Sequence, residues 1–330
     1  MKHISFGGSM ASIRDVAKKA NVAVCTVSRY LNGTANVAPV TKDRIEKAID
    51  ELNYIPNELA RGMFKQKSGI IAMLVPNIQH PYFSMLADCI EQELYKTGYK
   101  MMLCSTGGSI ERELEYINIF KTNIVDGIIL GVFNLPDKEY LSINKPLIML
   151  DYYLNNNIPV VVSDHEMGGK LAAAEFIRHN CKNVVHITGK TNKKVLSFKA
   201  HEVLEAELKK HGIETRMVEI KWDDFDYQGY FSLAKLILEE YPDIDGIMAA
   251  DLPVVAFLKA ASKLNKSVPK DICIISYDGS YVAHIIDEAI SIIEQPIKEI
   301  GIKTVQIITE IIDGGKANFN PIILPVKRIE

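Results

Sequence analysis

The fold of this chain is decided by residues 11–63, which read ASIRDVAKKANVAVCTVSRYLNGTANVAPVTKDRIEKAIDELNYIPNELARGM. Apolar side chains recur at helical spacing from Ile13 to Ala20, and Ser12 is a good N-cap for that helix. The tripeptide Asn21-Val22-Ala23 predicts a turn, and residues 24–32 fit a second short helix. Two short helices joined by such a turn predict a helix-turn-helix motif.

These two helices can share a small apolar core and leave a polar face outside. The predicted core consists of Val16, Ala20, Val22, Val27 and Leu31. The outward face of the second helix carries hydroxyls, an arginine and an amide, from Thr26, Ser28, Arg29 and Asn32. Such a face suits the phosphates and base edges of DNA. The alternative is a small helical domain whose polar face is merely solvated.

Charge is distributed unevenly along the 330 residues. Residues 1–68 carry eleven Lys and Arg against six Asp and Glu, a net charge of +5, whereas the remainder carries 27 against 35, a net charge of −8. A basic end on an acidic body directs the affinity for phosphates to that end.

The quoted stretch closely resembles, without a gap, the DNA-binding headpiece of the lactose/galactose/purine repressor family. The resemblance implies a third helix at about residues 39–52 and a turn at residues 53–57. By carry-over, Val24, Cys25 and Arg29 occupy the base-reading positions of the second helix. Arg29 is the side chain able to contact a guanine through two hydrogen bonds. The other DNA contacts expected from the headpiece are Ser12, Thr26, Ser28, Asn32 and Tyr54.

A short segment after the headpiece is expected to contact the minor groove. In the repressor family, the matching segment becomes helical on the operator and inserts an apolar side chain between bases, which kinks the duplex. Met63 occupies the position of that side chain here, and Ala60 is a second expected DNA contact. The implied division of the chain is an N-terminal extension or tag at 1–9, a DNA-binding domain at 10–56, a hinge helix and linker at 57–68, and an effector-binding and dimerisation domain at 69–330.

From Gly69 onward, strand-like and helix-like segments alternate. The run Ile70–Val75 is continuously apolar, as in a strand buried on both faces. Further strands are predicted at 100–104, 127–130, 147–150, 184–188, 217–220, 246–249 and 272–277, and helices at 85–96, 168–180, 198–211, 228–241 and 254–264. This alternation predicts two doubly wound α/β units with parallel sheets.

The predicted body resembles a periplasmic sugar-binding protein, which is the body architecture of the repressor family. The expected fold class is therefore an all-α helix-turn-helix headpiece followed by an α/β body of two doubly wound parallel-sheet lobes. Crossovers at 164–166 and 295–296 would form the hinge, between an N-lobe of about 69–165 and 296–324 and a C-lobe of about 166–295 and 325–330. The pair Gly168-Gly169 is expected to allow close helix packing, with anion binding as the alternative.

Ligands of such folds bind at the C-terminal ends of the strands, where the two lobes face each other. Candidates at the predicted strand ends are Asn77, Tyr82, Phe83, Asp151, Asp251 and Asp278. Carboxylates and amides can bind pairs of hydroxyls, and aromatic rings stack on the face of a sugar. In the family, the effector cleft is lined at the positions of Asn77, Phe83, Asp151 and Asp278. Each aspartate taken alone is better explained as a loop cap, whereas the set at strand ends predicts ligand binding.

Two positions depart from the family pattern. Where relatives have an arginine after the strand that ends in Gly189, this chain offers Lys193 or Lys199. A lysine cannot form the paired hydrogen bonds of a guanidinium, so the effector contact is expected to differ. The aromatic residue expected in the C-lobe could be Trp222 or Phe225. Lys193 and Trp222 are taken as the effector candidates.

The body looks most like sucrose-operon repressors of low-GC Gram-positive bacteria, on the stretches 158–164, 277–279 and 295–298, with a ribose, maltose or other sugar operon still open. The resemblance implies a repressor of a carbohydrate operon, located in the cytoplasm at the nucleoid, that responds to a sugar such as sucrose or fructose, or to a sugar phosphate. A homodimer is expected rather than a tetramer because no heptad tail is seen. The alternatives are a global catabolite regulator with a phosphocarrier protein as corepressor, and a sugar-binding transport protein.

Other function classes lack their motifs in this sequence. A P-loop, GxSxG, HExxH and a dinucleotide glycine fingerprint are all missing, so no enzyme activity and no cofactor are expected. The five cysteines form no CxxC pair and indicate reduced thiols without a metal site, with Cys25 expected on the exposed helix. No window holds the roughly 18 to 20 apolar residues of a membrane helix, so no membrane partner is expected. A transport protein would need a signal peptide, and Met1–Ser9 contains no apolar core for one.

Overall fold

The computed structural model describes residues 11–33, 36–55, 67–122, 124–155, 157–189, 194–220, 227–287, 289–315 and 319–329. Contacts divide the chain after Ser68 into two compact units. We call residues 11–55 the headpiece and residues 69–329 the body. Several predicted features lie outside the described residues, namely the extension at 1–9, the hinge helix with Ala60 and Met63, and the effector candidates Lys193 and Trp222.

The headpiece contains three helices, α1 (Ile13–Ala20), α2 (Val24–Asn32) and α3 (Pro39–Leu52). Ser12 begins α1 with a capping box, in which the Ser12 NH donates to the Asp15 carboxylate at 2.8 Å and the Asp15 NH donates to the Ser12 hydroxyl at 3.4 Å. Asn21 ends α1 in the left-handed conformation, which asparagine tolerates better than most residues. The predicted helix-turn-helix and third helix are confirmed.

All three helices contribute to the headpiece core. Its buried side chains are Val16, Ala17, Ala20, Val27, Ile45 and Ala48, with Val22 and Leu31 half-buried at the edge. Helix α3 also contacts the other two helices at the surface, where Tyr30 donates to Glu46 and Lys19 Nζ lies 2.6 Å from Glu51 Oε2. The third helix therefore completes a core that the helix-turn-helix leaves open.

The N-lobe of the body is built on a six-stranded parallel sheet. Its strands are β1 (Ile70–Val75), β2 (Lys100–Ser105), β3 (Gly127–Leu130), β4 (Leu147–Leu150), β5 (Val160–Ser163) and β11 (Ile322–Leu324), and its helices are α4 (Pro81–Lys96), α5 (Ile110–Phe120), α6 (Asp137–Leu141) and α12 (Ile297–Ile312). The strand order is β11-β5-β4-β3-β1-β2. Along β1, Ile71 and Met73 pack on the side of α4 and α12, whereas Ala72 and Leu74 pack on the side of α5. Both faces are therefore buried, as the apolar run predicted.

The C-lobe has the same architecture. Its strands are β6 (Asn183–Thr188), β7 (Glu214–Glu219), β8 (Gly246–Ala250), β9 (Cys273–Asp278), β10 (Ser291–Glu294) and β12 (Lys327–Ile329), and its helices are α7 (His165–Arg178), α8 (Phe198–Lys210), α9 (Tyr227–Glu240), α10 (Asp251–Lys263) and α11 (Tyr281–His284). The order is β12-β10-β9-β8-β6-β7, with β12 antiparallel to β10 and the other pairs parallel. Helices α9 and α10 cover one face, and α7 and α8 cover the other. The predicted fold class is confirmed, with an antiparallel edge strand as the departure.

The chain passes between the two sheets of the body three times, at residues 164–165, 295–296 and 325–326. Each passage directly follows a strand of one lobe and leads into an element of the other. The segments that join the lobes therefore begin at the same strand ends that form the ligand-binding edge of such folds.

Two glycines let α7 approach its neighbours closely. A Cβ on Gly169 would lie 2.5 Å from the carbonyl oxygen of Ala200 in α8, and one on Gly168 would overlap the Tyr277 hydroxyl. Both glycines lie inside α7, which begins at His165, so they do not form its N-terminus. The close packing expected of this pair is confirmed.

Some element boundaries differ from the predicted ones. Helix α4 begins at Pro81 rather than Met85, because proline suits the first turn of a helix, and Tyr82 and Phe83 therefore belong to the helix rather than to a loop. Strand β7 begins at Glu214, earlier than predicted, because its edge position leaves polar side chains exposed and interrupts the apolar pattern. Helices α5, α6, α11 and α12 were not predicted.

The cysteines are dispersed free thiols. Cys25 is exposed on α2, as expected, and Cys89 is half-buried, while Cys104, Cys181 and Cys273 are buried. Among the helices of the described ranges, none combines the length and apolar character needed to span a lipid bilayer.

Candidate DNA-binding surface and ligand cleft

Helix α2 presents the base-reading candidates on one exposed face. Cys25 and Arg29 are four residues apart, which places them on the same side of the helix, and Val24 lies beside them. All three side chains are exposed, Val24 to 42%. Arg29 forms no ion pair or side-chain hydrogen bond within the described ranges, so its guanidinium donors are available to a ligand.

The polar residues of α2 are less exposed than the sequence suggested. Thr26, Ser28 and Asn32 are half-buried. Asn32 Nδ2 donates to Ser28 Oγ at 3.4 Å, and Asn32 Oδ1 is buried. Asn32 therefore turns towards the preceding helical turn instead of pointing fully outward, because its amide finds a hydroxyl four residues earlier.

Ser12 and Tyr54 have structural roles beside their predicted DNA contacts. The Ser12 hydroxyl donates to the Asp15 carboxylate at 2.7 Å. Hydrogen bonds from Ser12 lower the pKa of the Asp15 carboxyl. Tyr54 packs against the headpiece core. The contact of Ser12 with DNA and that of Tyr54 with a phosphate remain predictions.

The body contains a cavity of about 1130 Å³ between its lobes. The wall is formed at the C-terminal ends of the strands of both sheets, the edge at which doubly wound folds bind ligands. The lining residues with polar or aromatic side chains are His80, Tyr82, Phe83, Phe133, Asn134, Asp151, Thr188, Ser197, Phe198, His201, Glu219, Tyr277, Asp278 and Gln295. This volume is comparable to that of the largest small-molecule sites.

Four of the predicted effector residues lie on this wall, namely Tyr82, Phe83, Asp151 and Asp278. Asn77 does not line the cavity, because its Oδ1 accepts a hydrogen bond from the Gln79 NH at 2.9 Å and closes the turn after β1. Lys199, the other cationic candidate, is half-exposed and lies 3.2 Å from Glu202 on the surface of α8. The structure thus brings together the aromatic and carboxylate candidates of both lobes.

Asp251 lies beneath the cavity and not on its wall. Its side chain is 1% exposed and accepts hydrogen bonds from Ser276 Oγ and the Ser280 NH, each at 2.7 Å. Burial raises the pKa of the Asp251 carboxyl, and the bonds from Ser280 and Ser276 oppose that rise. Asp251 ties the start of α10 to the end of β9, which corrects the expectation that it faces the ligand.

Asp278 connects the C-lobe to the hinge. Gln295 Nε2 donates to Asp278 Oδ1 at 2.7 Å, and Gln295 Oε1 accepts from Ser163 Oγ at 2.7 Å. Ser163 is the last residue of β5 in the N-lobe, so this chain of bonds reaches both lobes through Gln295. Burial, followed by the charge of Asp251, raises the pKa of Asp278 well above its usual range.

A second hydrogen-bonded chain runs from Asp151 in the N-lobe to Tyr277 in the C-lobe. His165 Nε2 lies 3.0 Å from Asp151 Oδ1, and His165 Nδ1 lies 2.8 Å from the Tyr277 hydroxyl. Asp151 has φ 58°, in the left-handed region that aspartate tolerates. The sequence placed His165 and Gln295 at the hinge crossovers but did not predict their hydrogen bonds between the lobes, and it assigned no role to Tyr277, because no motif marks these contacts.

The lobes also contact each other through a short backbone pairing, which we call the interlobe bridge. It consists of residues 151–153 of the N-lobe and 194–196 of the C-lobe, joined by an antiparallel β-bridge. Its hydrogen bonds run from the Leu196 NH to the Asp151 carbonyl at 2.9 Å and from the Tyr153 NH to the Lys194 carbonyl at 3.0 Å. The Lys194 ammonium also pairs with the Asp137 carboxylate of α6.

Aromatic rings line the N-lobe side of the cavity. Phe83 contacts Tyr82 edge-on, with ring centroids 5.3 Å apart, and Phe133 stacks on Tyr152 with centroids 4.2 Å apart. Aromatic rings beside carboxylates and an amide are what a polyhydroxylated ligand requires. Within the described ranges, no three His, Cys, Asp or Glu side chains cluster as a metal site would need.

The loop that carries Phe133 is held from below by a buried glutamate. Glu113 of α5 is fully buried and accepts hydrogen bonds from the Asn134 NH at 3.2 Å, from Asn134 Nδ2 at 3.1 Å and from the Tyr140 hydroxyl. Burial raises the pKa of Glu113, although these bonds oppose the rise. The position of Phe133 on the cavity wall therefore depends on α5.

Comparison with known proteins assigns both parts of the chain. Residues 12–57 match the bacterial regulatory proteins of the lacI family, and residues 68–329 match the periplasmic binding proteins and sugar binding domain of the LacI family. The ribose operon repressor of Halalkalibacterium halodurans is 34% identical over 327 residues, which cover 97% of this chain and 96% of the relative. The sucrose operon repressor of Streptococcus mutans is 32% identical over 305 residues, which cover 92% and 93%.

Solved structures share the fold. The lac repressor dimer bound to operator and the anti-inducer ONPF has a TM-score of 0.82 at 20% identity, over 98% of both chains. A complex of the transcriptional regulator CelR with cellobiose has a TM-score of 0.71 at 23% identity, over 97% of this chain and 98% of the other. The solved structures support the fold, and the two family matches and the relatives above 30% identity identify the family. The chain belongs to the lacI family of bacterial regulatory proteins.

Proposed function

We propose that this chain is a transcriptional repressor of a sugar operon, which binds operator DNA as a homodimer and responds to a sugar in the cleft of its body. The observation that carries the proposal is that one chain holds an exposed helix-turn-helix surface and a cavity lined by carboxylates and aromatic rings. Relatives of matching length are ribose and sucrose operon repressors. The proposal assigns binding and no catalysis, and its site of action is the cytoplasm, where the operator lies.

In the proposed complex with DNA, two headpieces occupy successive major grooves of a near-palindromic operator, about one helical turn apart. Arg29 makes the paired guanine contact, worth about 1–3 kcal/mol of discrimination. Val24 and Cys25 offer apolar contacts, for which a thymine methyl is a suitable partner. The family resemblance assigns the minor groove to Met63, and we assign phosphates to Thr26, Ser28, Asn32 and Tyr54, with Ser12 and Ala60 as further DNA contacts.

We assign the effector contacts to Asp151, Asp278, Tyr82 and Phe83. The carboxylates bind hydroxyls, and the aromatic rings cover a face of the sugar. The described wall of the cavity carries acidic side chains and no lysine or arginine, which favours a neutral sugar over a sugar phosphate. Lys193, outside the described residues, is the remaining candidate for a phosphate contact. Ribose, sucrose and fructose are the first ligands to test.

The proposed switch acts on the arrangement of the two lobes. His165 and Gln295 lie at the crossovers between the lobes, and each belongs to a hydrogen-bonded chain that ends at Asp151 or Asp278. A ligand that contacts these two aspartates therefore acts on the lobes and on the hinge together. A ligand shifts this equilibrium only by its difference in affinity for the two arrangements. Whether the sugar induces or co-represses is given by the direction in which it changes operator affinity.

The test is operator binding by the full-length protein, measured by fluorescence anisotropy at fixed salt with DNA from upstream of the neighbouring operon. Ribose, sucrose, fructose, maltose and their phosphates are titrated into the complex. We expect one neutral sugar to change the operator affinity about tenfold. Asp278→Ala is expected to bind the operator and lose the response, whereas the surface variant Glu239→Gln on α9, away from the hinge and the cavity, is expected to keep both.

Two results would contradict parts of the proposal. Tight operator binding without a response to any sugar would refute the sugar effector, and a phosphorylated phosphocarrier protein added to the same assay would show whether a protein corepressor takes its place. Binding of a sugar by a protein that selects no DNA sequence from a random pool would refute the repressor assignment.

A further inference from the structure

Three side chains of the C-lobe form a hydrogen-bonded row that ends at the cavity. Glu205 Oε1 lies 3.1 Å from His186 Nε2, and His186 Nδ1 lies 2.9 Å from His201 Nδ1. His186 is fully buried in β6, and Glu205 is at the outer end with its side chain 44% exposed. His201, in the first turns of α8, lines the cavity. The row therefore connects the protein surface to the cleft through a buried imidazole.

The chemistry of these groups fixes the direction of the hydrogen bonds. An ionised carboxylate can only accept, so His186 must donate to Glu205 from Nε2. A neutral imidazole carries one N–H, so His186 Nδ1 is then an acceptor and takes its hydrogen bond from Nδ1–H of His201. The second nitrogen of His201, Nε2, is consequently left with a lone pair and no hydrogen.

Both imidazoles are held neutral by their surroundings. Burial is the main cause that lowers the pKa of His201 to about 3. Burial also lowers the pKa of His186, although Glu205 opposes this change. Each of the two rings therefore carries a single N–H at neutral pH.

We infer that His201 is an effector-contacting residue whose Nε2 accepts a hydrogen bond from a sugar hydroxyl, and that Glu205 and His186 are positioning residues that hold it in the accepting tautomer. This inference rests on the proposed function and adds to it a specificity-determining contact. Ser197 and Phe198, which precede His201 in the same segment, also line the cavity. The C-lobe wall thus combines an acceptor nitrogen with an aromatic ring and a hydroxyl.

The first experiment compares sugar binding by the full-length wild type and His201→Ala, measured by isothermal titration calorimetry with ribose, sucrose, fructose and maltose. We expect affinity about tenfold lower in the variant for the sugar that the wild type binds. His211→Ala is the matched control, because His211 is exposed at the end of the same helix and its ring lies 3.1 Å from the Glu207 carbonyl oxygen, away from the cavity. Unchanged affinity in His201→Ala would overturn the inference alone, whereas a wild type that binds none of the sugars would overturn the proposed effector class and this inference together.

A second experiment reads the direction of the hydrogen bond without disturbing the cavity. Glu205→Lys places a donor where the carboxylate accepts. The hydrogen bonds along the row then run in the opposite direction, and His201 Nε2 becomes a donor. We expect this surface variant to unfold at the wild-type temperature and to bind the sugar about tenfold more weakly. Wild-type affinity in Glu205→Lys would overturn the tautomer assignment.

The ligand provides an independent readout. In a set of deoxyfluoro analogues of the bound sugar, fluorine replaces each hydroxyl in turn and cannot donate. We expect one analogue to bind the wild type about tenfold more weakly than the parent sugar, and to show no further loss in His201→Ala. Additive losses for every analogue would overturn the assignment of a hydroxyl to His201.

Discussion

Glu175 offers a test of what stabilises the packing of α7 against the strands β10 and β12 of the C-lobe. This residue of α7 has a side chain that is 2% exposed, and it receives bonds from Arg178 of the same helix, Ser291 of β10 and Arg328 of β12. Burial alone would raise the pKa of its carboxyl, but the hydrogen bonds from Arg178 and Ser291 and the charge of Arg328 outweigh it and lower the pKa from 4.5 to about 2. Since a tenfold change in proton affinity corresponds to about 1.4 kcal/mol, this lowering stabilises the folded body by about 3 kcal/mol at pH 7.

The sign of the pH dependence follows from the direction of that pKa. Because the folded protein binds the proton more weakly than the unfolded chain, the stabilisation is complete above pH 4.5 and is lost as the pH falls towards 2. Glu175→Gln is therefore expected to lower the free energy of unfolding by about 3 kcal/mol at pH 7. The difference between wild type and variant should shrink steadily below pH 4.5.

Urea-induced unfolding, followed by circular dichroism at pH 7, 5 and 3.5, measures this difference directly. The matched control is Glu166→Gln, which removes an exposed carboxylate that pairs with Lys170 on the same helix at 2.6 Å. An exposed pair of this kind contributes little to stability, because solvent screens its charges. The stabilising role of the buried Glu175 carboxylate would be refuted if Glu175→Gln lowered the free energy of unfolding no more than the control does. It would also be refuted if the loss were the same at pH 7 and 3.5.

Three further outcomes are expected. Asp251→Ala should lower the free energy of unfolding by about 2–5 kcal/mol in urea titrations, because it leaves two buried donors without an acceptor. Its sugar affinity, measured by calorimetry, should equal that of the wild type, because the side chain lies beneath the cavity. Arg29→Ala should remove about 1–3 kcal/mol of discrimination at one base pair in each half-site, and a competition series over operator variants in which every preference is unchanged would contradict this. Gly169→Ala should cost about 1–3 kcal/mol in urea unfolding, because its Cβ meets the Ala200 carbonyl oxygen at 2.5 Å; wild-type stability would show that α8 shifts freely.

The headpiece could be predicted almost residue by residue because its determinants are local. Caps, helical spacing and a tight turn act within a few positions, so α1 and α2 begin and end where the sequence predicted. Packing between segments that are far apart in the sequence could be predicted less well. Helix α3 contributes Ile45 and Ala48 to the core, and the residues of the helix-turn-helix do not show that contribution.

The cleft was predicted in position but only partly in its residues. The rule that strands of doubly wound sheets carry ligands at their C-terminal ends selected Asp151, Asp251 and Asp278 alike. It could not distinguish them, because the direction of each side chain depends on the turn that follows the strand. Asp251 starts a helix and faces β9, whereas Asp278, with φ 126°, faces the crossover.

The networks that connect the lobes lie beyond any local pattern. His165 and Tyr277 are 112 positions apart in the chain, and Ser163 and Gln295 are 132 apart. Such pairs meet only because two strand ends and two crossovers converge at one edge. The polar residue within an apolar strand that the sequence does display, His186 in β6, belongs instead to the row inside the C-lobe that joins Glu205 to His201.

The interlobe bridge has a consequence for how ligand specificity can change in this family. Its hydrogen bonds join main-chain atoms, so replacing side chains on the cavity wall leaves the bridge itself in place. Asp151 shows the division within one residue, since its carbonyl belongs to the bridge while its carboxylate belongs to the cavity. Under the proposed function, substitutions on the cavity wall can therefore change which sugar is bound while this main-chain contact between the lobes is kept.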